Sequence, residues 1–324
     1  MAEKPFPILF ITSPRVGAAV QSSGLIKRLV DEVPGARFTI VAGEKSAPLF
    51  VDTPGLERII ILDEDASFPG FRLWLETRGR LWGLIVDLRQ TGVSSFLRRR
   101  RRAVPHGSGA GIHPVLRAAK LLNLENDPPA PFLFTGPKTE AKAAARTAGT
   151  GPILAIAPGA SWVGKAWPTE RFSAVAGRLL SPKGPLADGR LMILGDTSVR
   201  DAGRGVKLAV SRDRVVAEPG QLGPLVDYAC LKKARLVIGN DSAATLMAAA
   251  AGVPTLALFG PSDETVNAPW GPHTRVLRGP RNFAAFRKLD PDLSQAVCHM
   301  LDLSVDTVFD AAVRLLEETE PPHG

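Results

Sequence analysis

The feature that most limits how this chain can fold is the character of its apolar runs, which are short, continuous rather than alternating, and separated by amphipathic helical stretches. Residues 8–12, 37–42, 59–62 and 84–88 read as strands, with helices predicted over 21–33 and 71–77. A second series follows, with strands over 153–157, 191–194, 214–216, 236–238 and 255–259 and helices over 169–180, 222–233, 243–251 and 305–318. A strand that need not alternate is covered on both faces, which is the condition of parallel sheets in α/β proteins. A length of 324 residues exceeds one ordinary core. Between the two series, 127–151 mixes proline, glycine and a short alanine-rich helix in the manner of a connection between domains. The expected architecture is therefore α/β: a Rossmann-like domain over 1–150, a second over 151–302, and a C-terminal helix and tail over 303–324.

The net charge of +8 favours anionic partners: phosphorylated small molecules, acidic headgroups or nucleic acid. Cys230 and Cys298 lie far apart and the five histidines are scattered, so no metal-ligand spacing occurs and a reducing cytoplasm is expected. No basic leader with a long apolar stretch opens the chain, and no apolar run approaches the ~18 residues of a spanning helix. Any membrane contact is expected to be peripheral.

In an open parallel sheet, ligands bind beyond the carboxyl ends of the strands, where backbone N–H groups at helix N-termini are unpaired. "IGNDSAATLMAAAAGVPTLALFGPSD", residues 238–263, holds a polar loop between two apolar runs. There Asp241 and Ser242 can cap a helix or bond a sugar hydroxyl, and the small side chains of Ala243 and Ala244 let a diphosphate approach the backbone. The capping reading alone accounts for Asp-Ser equally well. "APGASWVGKAWPTERF", residues 157–172, follows a strand and precedes a helix expected to be capped by Thr169. Ser161 and Lys165 project from that loop, where a lysine can neutralise phosphate without a metal.

These two stretches, together with "CHMLDLSVDTV" near the C-terminus and "SPRVGAAVQSSGLIKRL" near the N-terminus, resemble glycosyltransferase family 9, the bacterial lipopolysaccharide heptosyltransferase group. The resemblance implies the GT-B fold, two Rossmann-like domains facing across a cleft. It also implies inverting transfer without metal or other cofactor, from ADP-heptose to a lipopolysaccharide-core acceptor at the cytoplasmic face of the inner membrane. By the same resemblance Ser161 and Lys165 meet the donor diphosphate, Asp241 a sugar hydroxyl, the backbone of Ser242, Ala243 and Ala244 the phosphates, and the backbone near Leu222 the adenine.

The chain departs from the family pattern in three places. The opening loop usually reads Gly-Asp, its carboxylate acting as general base, whereas here it is Gly17-Ala18. Ala243 replaces a glycine and Leu246 a histidine in the helix-opening motif, and Ala166 stands where a basic residue is common. No carboxylate lies between Ile11 and Val30, so Asp87 in "LIVDLRQTG" is the substitute candidate, with loop capping as its alternative role. The run Arg98, Arg99, Arg100, Arg101 and Arg102 is expected to follow a helix and to be a solvated face or a contact for a phosphorylated glycolipid or anionic leaflet. It lacks interleaved aromatics, which disfavours nucleic acid. A protein that keeps the nucleotide-sugar pocket without efficient transfer is the rival reading. A dinucleotide-dependent oxidoreductase is disfavoured because "SPRVGAA" contains a single glycine.

Overall fold

The computed structural model describes residues 4–319 apart from 64, 66, 108, 294 and 295. The chain divides into two compact units that meet in sequence at Gly136 and Pro137. In the first unit the elements are β1 (Phe6–Ile11), α1 (Val16–Ser22), α2 (Gly24–Glu32), β2 (Ala36–Ala42), β3 (Leu56–Ile61), α3 (Pro69–Thr77), β4 (Trp82–Asp87), β5 (Arg99–Ala103) and α4 (Pro114–Ala119). Its sheet runs β3-β2-β1-β4-β5 with every pairing parallel. The fully buried Leu9, Ile11, Val41 and Ile85 meet Leu73 of α3 and Val93 and Leu97 of the β4–β5 crossover in one core cluster.

The second unit carries α5 (Pro137–Thr147), β6 (Ile153–Ala157), α6 (Thr169–Leu179), β7 (Arg190–Ile193), α7 (Arg200–Lys207), β8 (Val215–Ala217) and α8 (Pro224–Leu231). It continues with β9 (Ala234–Asn240), α9 (Ala243–Ala250), β10 (Thr255–Phe259), α10 (Glu264–Asn267), β11 (Thr274–Arg278), α11 (Phe283–Leu289) and α12 (Val305–Glu318). Its six strands are all parallel in the order β11-β10-β9-β6-β7-β8. Counted from β6 this is the 3-2-1-4-5-6 order of a doubly wound sheet, whose switch point lies between β6 and β9. In the first unit the same reversal falls between β1 and β4. Every residue of β6 and β10 is buried, which is why their sequences are continuous apolar runs.

Three sequence expectations shift. The predicted helix over 21–33 is two helices, parted at Ser23, whose hydroxyl donates to the Val20 carbonyl (2.6 Å) and accepts from Phe132 N–H (2.9 Å). The alanine-rich segment expected in the connection is α5, which belongs to the second unit: Thr139, Ala143 and Thr147 form its buried stripe, and Glu140 pairs with Lys232 at 3.0 Å. The arginine run follows only a single 3-10 turn, Val93–Ser95, and Arg99–Ala103 is itself the edge strand β5. Its ladder bonds come from the backbone, and charged side chains on an edge suppress pairing with other chains.

Asp227, in the first turn of α8, has its carboxyl pushed up to about 7 by burial. An acid raised in the folded state holds a proton that the unfolded chain has released, so this group costs stability progressively from about pH 4 to pH 7 and by a constant amount above. We expect Asp227→Asn to raise the melting temperature at pH 8 and to lose that advantage as the pH falls to 4. A shift that does not vary with pH would remove Asp227 as a titrating, destabilising group.

Candidate functional site

The switch point of the second unit is organised by Asn240, the fully buried last residue of β9. Its Nδ2 donates to the Pro158 carbonyl (2.7 Å) and its Oδ1 accepts from Trp167 N–H (3.0 Å). One amide thus ties both ends of the loop after β6 to the end of β9. Close approach is helped by Gly239, where a Cβ would meet the Ala157 Cβ at 2.5 Å and the Thr245 Oγ1 at 2.7 Å. Ser242 caps α9 by accepting from Thr245 N–H, while Thr245 Oγ1 donates to the Asn240 carbonyl (2.6 Å). With the loops so fixed, Lys165 Nζ and Asp241 Oδ2 form an ion pair, their side chains 17% and 9% exposed. Ala243 and Ala244 follow at the start of α9, both partly exposed.

A second segment braces the loop from below. Trp167 Nε1 donates to the Leu303 carbonyl (2.9 Å), Cys298 Sγ to the Ala166 carbonyl (3.2 Å) and His299 N–H to the Gly164 carbonyl (3.3 Å). Arg171 donates to the carbonyls of Leu301 and Leu303 at 2.8 and 2.6 Å. Gly164 is required by contact, since a Cβ there would lie 1.9 Å from the Trp162 ring. The Trp162 ring stands edge-on to His299, with centroids 5.9 Å apart. Thr169 is the first helical residue of α6 rather than its cap; Pro168 occupies the cap position without a side-chain bond.

Of the residues expected to hold a donor, Lys165, Asp241, Ser242, Ala243 and Ala244 are gathered on the two loops flanking the switch point. Ser161 is exposed on the first of these loops. Leu222 lies apart from them, half-buried in the turn between β8 and α8, at the edge of the same sheet. Sequence reasoning missed Asn240 as the organising group and gave no role to the bracing segment, although its residues lie in the quoted "CHMLDLSVDTV". Asn240 was within the quoted motif, but nothing in the sequence says that its amide turns inward.

In the first unit Ala18 sits half-buried in the first turn of α1, and its carbonyl accepts from Ser22 Oγ (3.1 Å). Asp87, opposite Ile11 at the end of β4, is fully buried. Its carboxylate accepts from the N–H of Arg89 and Thr91 (3.2 and 3.1 Å) and from the hydroxyls of Thr91 and Ser94 (2.9 Å each). With four donors from its own loop, it caps that loop. Sequence reasoning also passed over Glu44, which is exposed on the loop after β2. That loop is tied to the Ala18 loop: Ser46 Oγ donates to the Ser13 carbonyl (2.9 Å), and a Cβ on Gly43 would lie 2.6 Å from the Pro14 Cβ.

Asn240→Ala should leave the Pro158 carbonyl and Trp167 N–H unpaired in a buried site, where each unsatisfied group costs roughly 1–3 kcal/mol. We expect a loss of about 2–4 kcal/mol on that basis, read from chemical denaturation, and detachment of the 158–167 loop, read from faster amide exchange. A change below about 0.5 kcal/mol, ordinary for a surface site, would show that the clamp does not hold the loop.

Among solved structures the chain is similar to the E. coli ADP-heptose lipopolysaccharide heptosyltransferase II, with 17% identity over 97% of this chain and 99% of that one and a TM-score of 0.73. A glycosyltransferase family 9 protein of Veillonella parvula DSM 2008 matches at 17% identity over 98% and 100%, with a TM-score of 0.78. E. coli heptosyltransferase WaaC with ADP matches at 14% identity over 96% and 100%, with a TM-score of 0.69. No curated protein sequence matches the chain. The likeness in structure gives the fold, two parallel-sheet α/β units of the GT-B type. Residues 83–293 match the model of glycosyltransferase family 9 (heptosyltransferase), well over half of the sequence, and the chain belongs to that family.

Proposed function

We propose that the chain is a sugar transferase that takes its donor, a nucleotide-diphosphate sugar with ADP-heptose favoured, in the crevice between the β6 and β9 loops. The proposed acceptor is of the lipopolysaccharide-core type. The observation that carries this reading is the Lys165–Asp241 pair at the switch point of the second sheet. The ammonium has three donors and can hold a phosphate oxygen while still paired with Asp241. Asp241 keeps acceptor capacity for a sugar hydroxyl, and the first turn of α9 presents N–H groups beside alanines rather than bulky side chains. WaaC has been solved with ADP and with ADP-2-deoxy-2-fluoro heptose, which supports a donor of this chemistry here.

In the proposed reaction the acceptor hydroxyl oxygen attacks the anomeric carbon from the face opposite the diphosphate. The carbon–oxygen bond to phosphate breaks, and its electron pair leaves with the nucleoside diphosphate, stabilised by Lys165 and the α9 N-terminus. This is inversion without a metal. The hydroxyl proton needs an acceptor, and Asp87 is enclosed and saturated by its own loop. Among the described loops after β1, β2 and β4, Glu44 is the exposed carboxylate, and we assign it the base role. Ala18 favours one second reading, a donor-binding protein without efficient transfer.

Lys165→Ala should weaken ADP binding about 10- to 150-fold by calorimetry, the equivalent of roughly 1.5–3 kcal/mol for a charge-assisted bond. Asp241→Asn should weaken a nucleotide-sugar more than bare ADP. Unchanged ADP affinity in Lys165→Ala would take the donor out of this crevice. For the base, Glu44→Gln should lower turnover by ~10²–10⁴ with donor affinity intact. If Glu44→Gln is silent while Ala18→Asp raises transfer or donor hydrolysis by ~10² or more, the base position is vacant and the binding-protein reading holds.

A further inference from the structure

The first unit exposes an aromatic cluster that its own core does not use. Phe68 and Phe96 are each 79% exposed and Phe71 is 58% exposed. Phe71 stacks on Trp74 with ring centroids 5.8 Å apart. Gly70, Phe71, Trp74, Gly92, Val93 and Phe96 line a concavity of about 550 Å³ between the start of α3 and the β4–β5 crossover. Phe68 adopts φ 55°, ψ 54°, a left-handed conformation that is strained for a bulky residue. Among the described residues no buried contact offsets that strain, since the residue is 79% exposed.

The cluster is continuous with the arginine strand. Leu97 and Val93 belong to the core cluster against which Trp74 packs, and Arg99 Nη1 donates back to the carbonyls of Ser95 and Leu97 (3.0 and 2.8 Å). Ile85, in the same core cluster, lies directly opposite Arg102 in the β4–β5 ladder. Opposed residues project to the same side of a sheet, so Arg102, and Arg100 two positions before it, stand on the face that carries α3 and the aromatics. Arg78 lies over the Trp74 ring, 4.9 Å from its centroid. Glu57 and Glu76, the nearest carboxylates in sequence on β3 and α3, face Arg80 and Arg58. Arg72, Arg98, Arg100, Arg101 and Arg102 make no ion pair among the described residues. Asp63, Glu64 and Asp65, ahead of Phe68 in the sequence, offset only part of that charge.

We propose that this face docks on an anionic lipid bilayer, with Phe68, Phe71 and Phe96 at the boundary between headgroups and acyl chains and Arg100 and Arg102 on the headgroup phosphates. Each signal alone holds a protein weakly at a membrane, and the two together give a stable, reversible contact. Charge selects the occupant. Arg100 and Arg102, with no carboxylate interleaved between them, offer no alternation of sign to fix the register of a protein partner, whereas a fluid array of phosphates needs no register. The proposal rests on the lipid-linked acceptor of the proposed function, which such docking would bring within reach.

The test is sedimentation with vesicles of phosphatidylglycerol and phosphatidylcholine, free of lipopolysaccharide, so that binding reports the surface alone. The parent should bind these vesicles and not phosphatidylcholine alone, and should release as salt rises. Phe71→Ser/Phe96→Ser and Arg100→Ser/Arg102→Ser should each weaken binding at least tenfold while leaving ADP affinity and melting temperature unchanged, since these side chains are exposed. No binding to anionic vesicles, or binding indifferent to both double variants, would overturn the proposal. So would a concentration-dependent dimer abolished by Phe71→Ser/Phe96→Ser, which would make a second copy the occupant. Loss of ADP binding in Lys165→Ala bears on the donor site alone and leaves the vesicle result standing.

Discussion

The two hydrogen bonds of the Asn240 side chain fix the second unit's crevice. A buried amide must satisfy both its donor and its acceptor, and here the two partners are the Pro158 carbonyl and the Trp167 N–H, at opposite ends of one loop. Because that loop cannot drift, Lys165 stays opposite Asp241, and because Trp167 is pinned, its indole reaches the Leu303 carbonyl ahead of α12. The C-terminal helix then packs on α6 and the sheet, so a segment far along the chain supports the site without entering it.

The parallel α/β layers were legible because burial on both faces writes continuous apolar runs, as in 153–157 and 255–259, which coincide with β6 and β10. What was not legible lies at edges. The strand β5 is four arginines and an alanine, and β11 reads Thr-Arg-Val-Leu-Arg; an edge strand is held by ladder bonds and needs little apolar pattern. The helix α5 was taken for a connection because alanine and lysine carry little hydrophobic contrast, although a four-residue repeat of Thr139, Ala143 and Thr147 marks its buried stripe. At the site, Lys165 and Asp241 could be picked out by their loops, but their pairing could not, since it depends on strand order and on an amide whose direction the sequence does not give. Asp87 shows the opposite failure: a carboxylate at a strand end invites a catalytic role, and its burial beneath Thr91 and Ser94 is visible only in three dimensions.

The two switch points have been treated differently. In the second unit the polar groups are preorganised, with each loop held from two sides. In the first, Ala18 carries only a methyl group in the first turn of α1, and the loop before it is held by Ser46 and by the close approach of Gly43 to Pro14. A methyl at Ala18 leaves the backbone undisturbed, because α1 begins at Val16 with an extended N-cap residue and needs no side-chain cap. The frame of this loop therefore does not depend on the side chain at position 18.

The ion pair itself constrains what the crevice can bind. A lone lysine at a helix N-terminus would attract any small anion, but Asp241 lies against Lys165 and cancels most of its field at a distance. Bare phosphate therefore meets little net attraction, and its second negative charge is opposed by the carboxylate. A ligand gains from both partners only if it brings an anionic oxygen to the ammonium and a hydroxyl donor to Asp241. At 17% and 9% exposure the pair is dry enough for such bonds to be strong, and for leaving either group unmatched to be costly. Phosphate joined to a polyol satisfies that requirement, which is why we propose a sugar phosphoester, rather than phosphate or sugar alone, as the ligand of this pair.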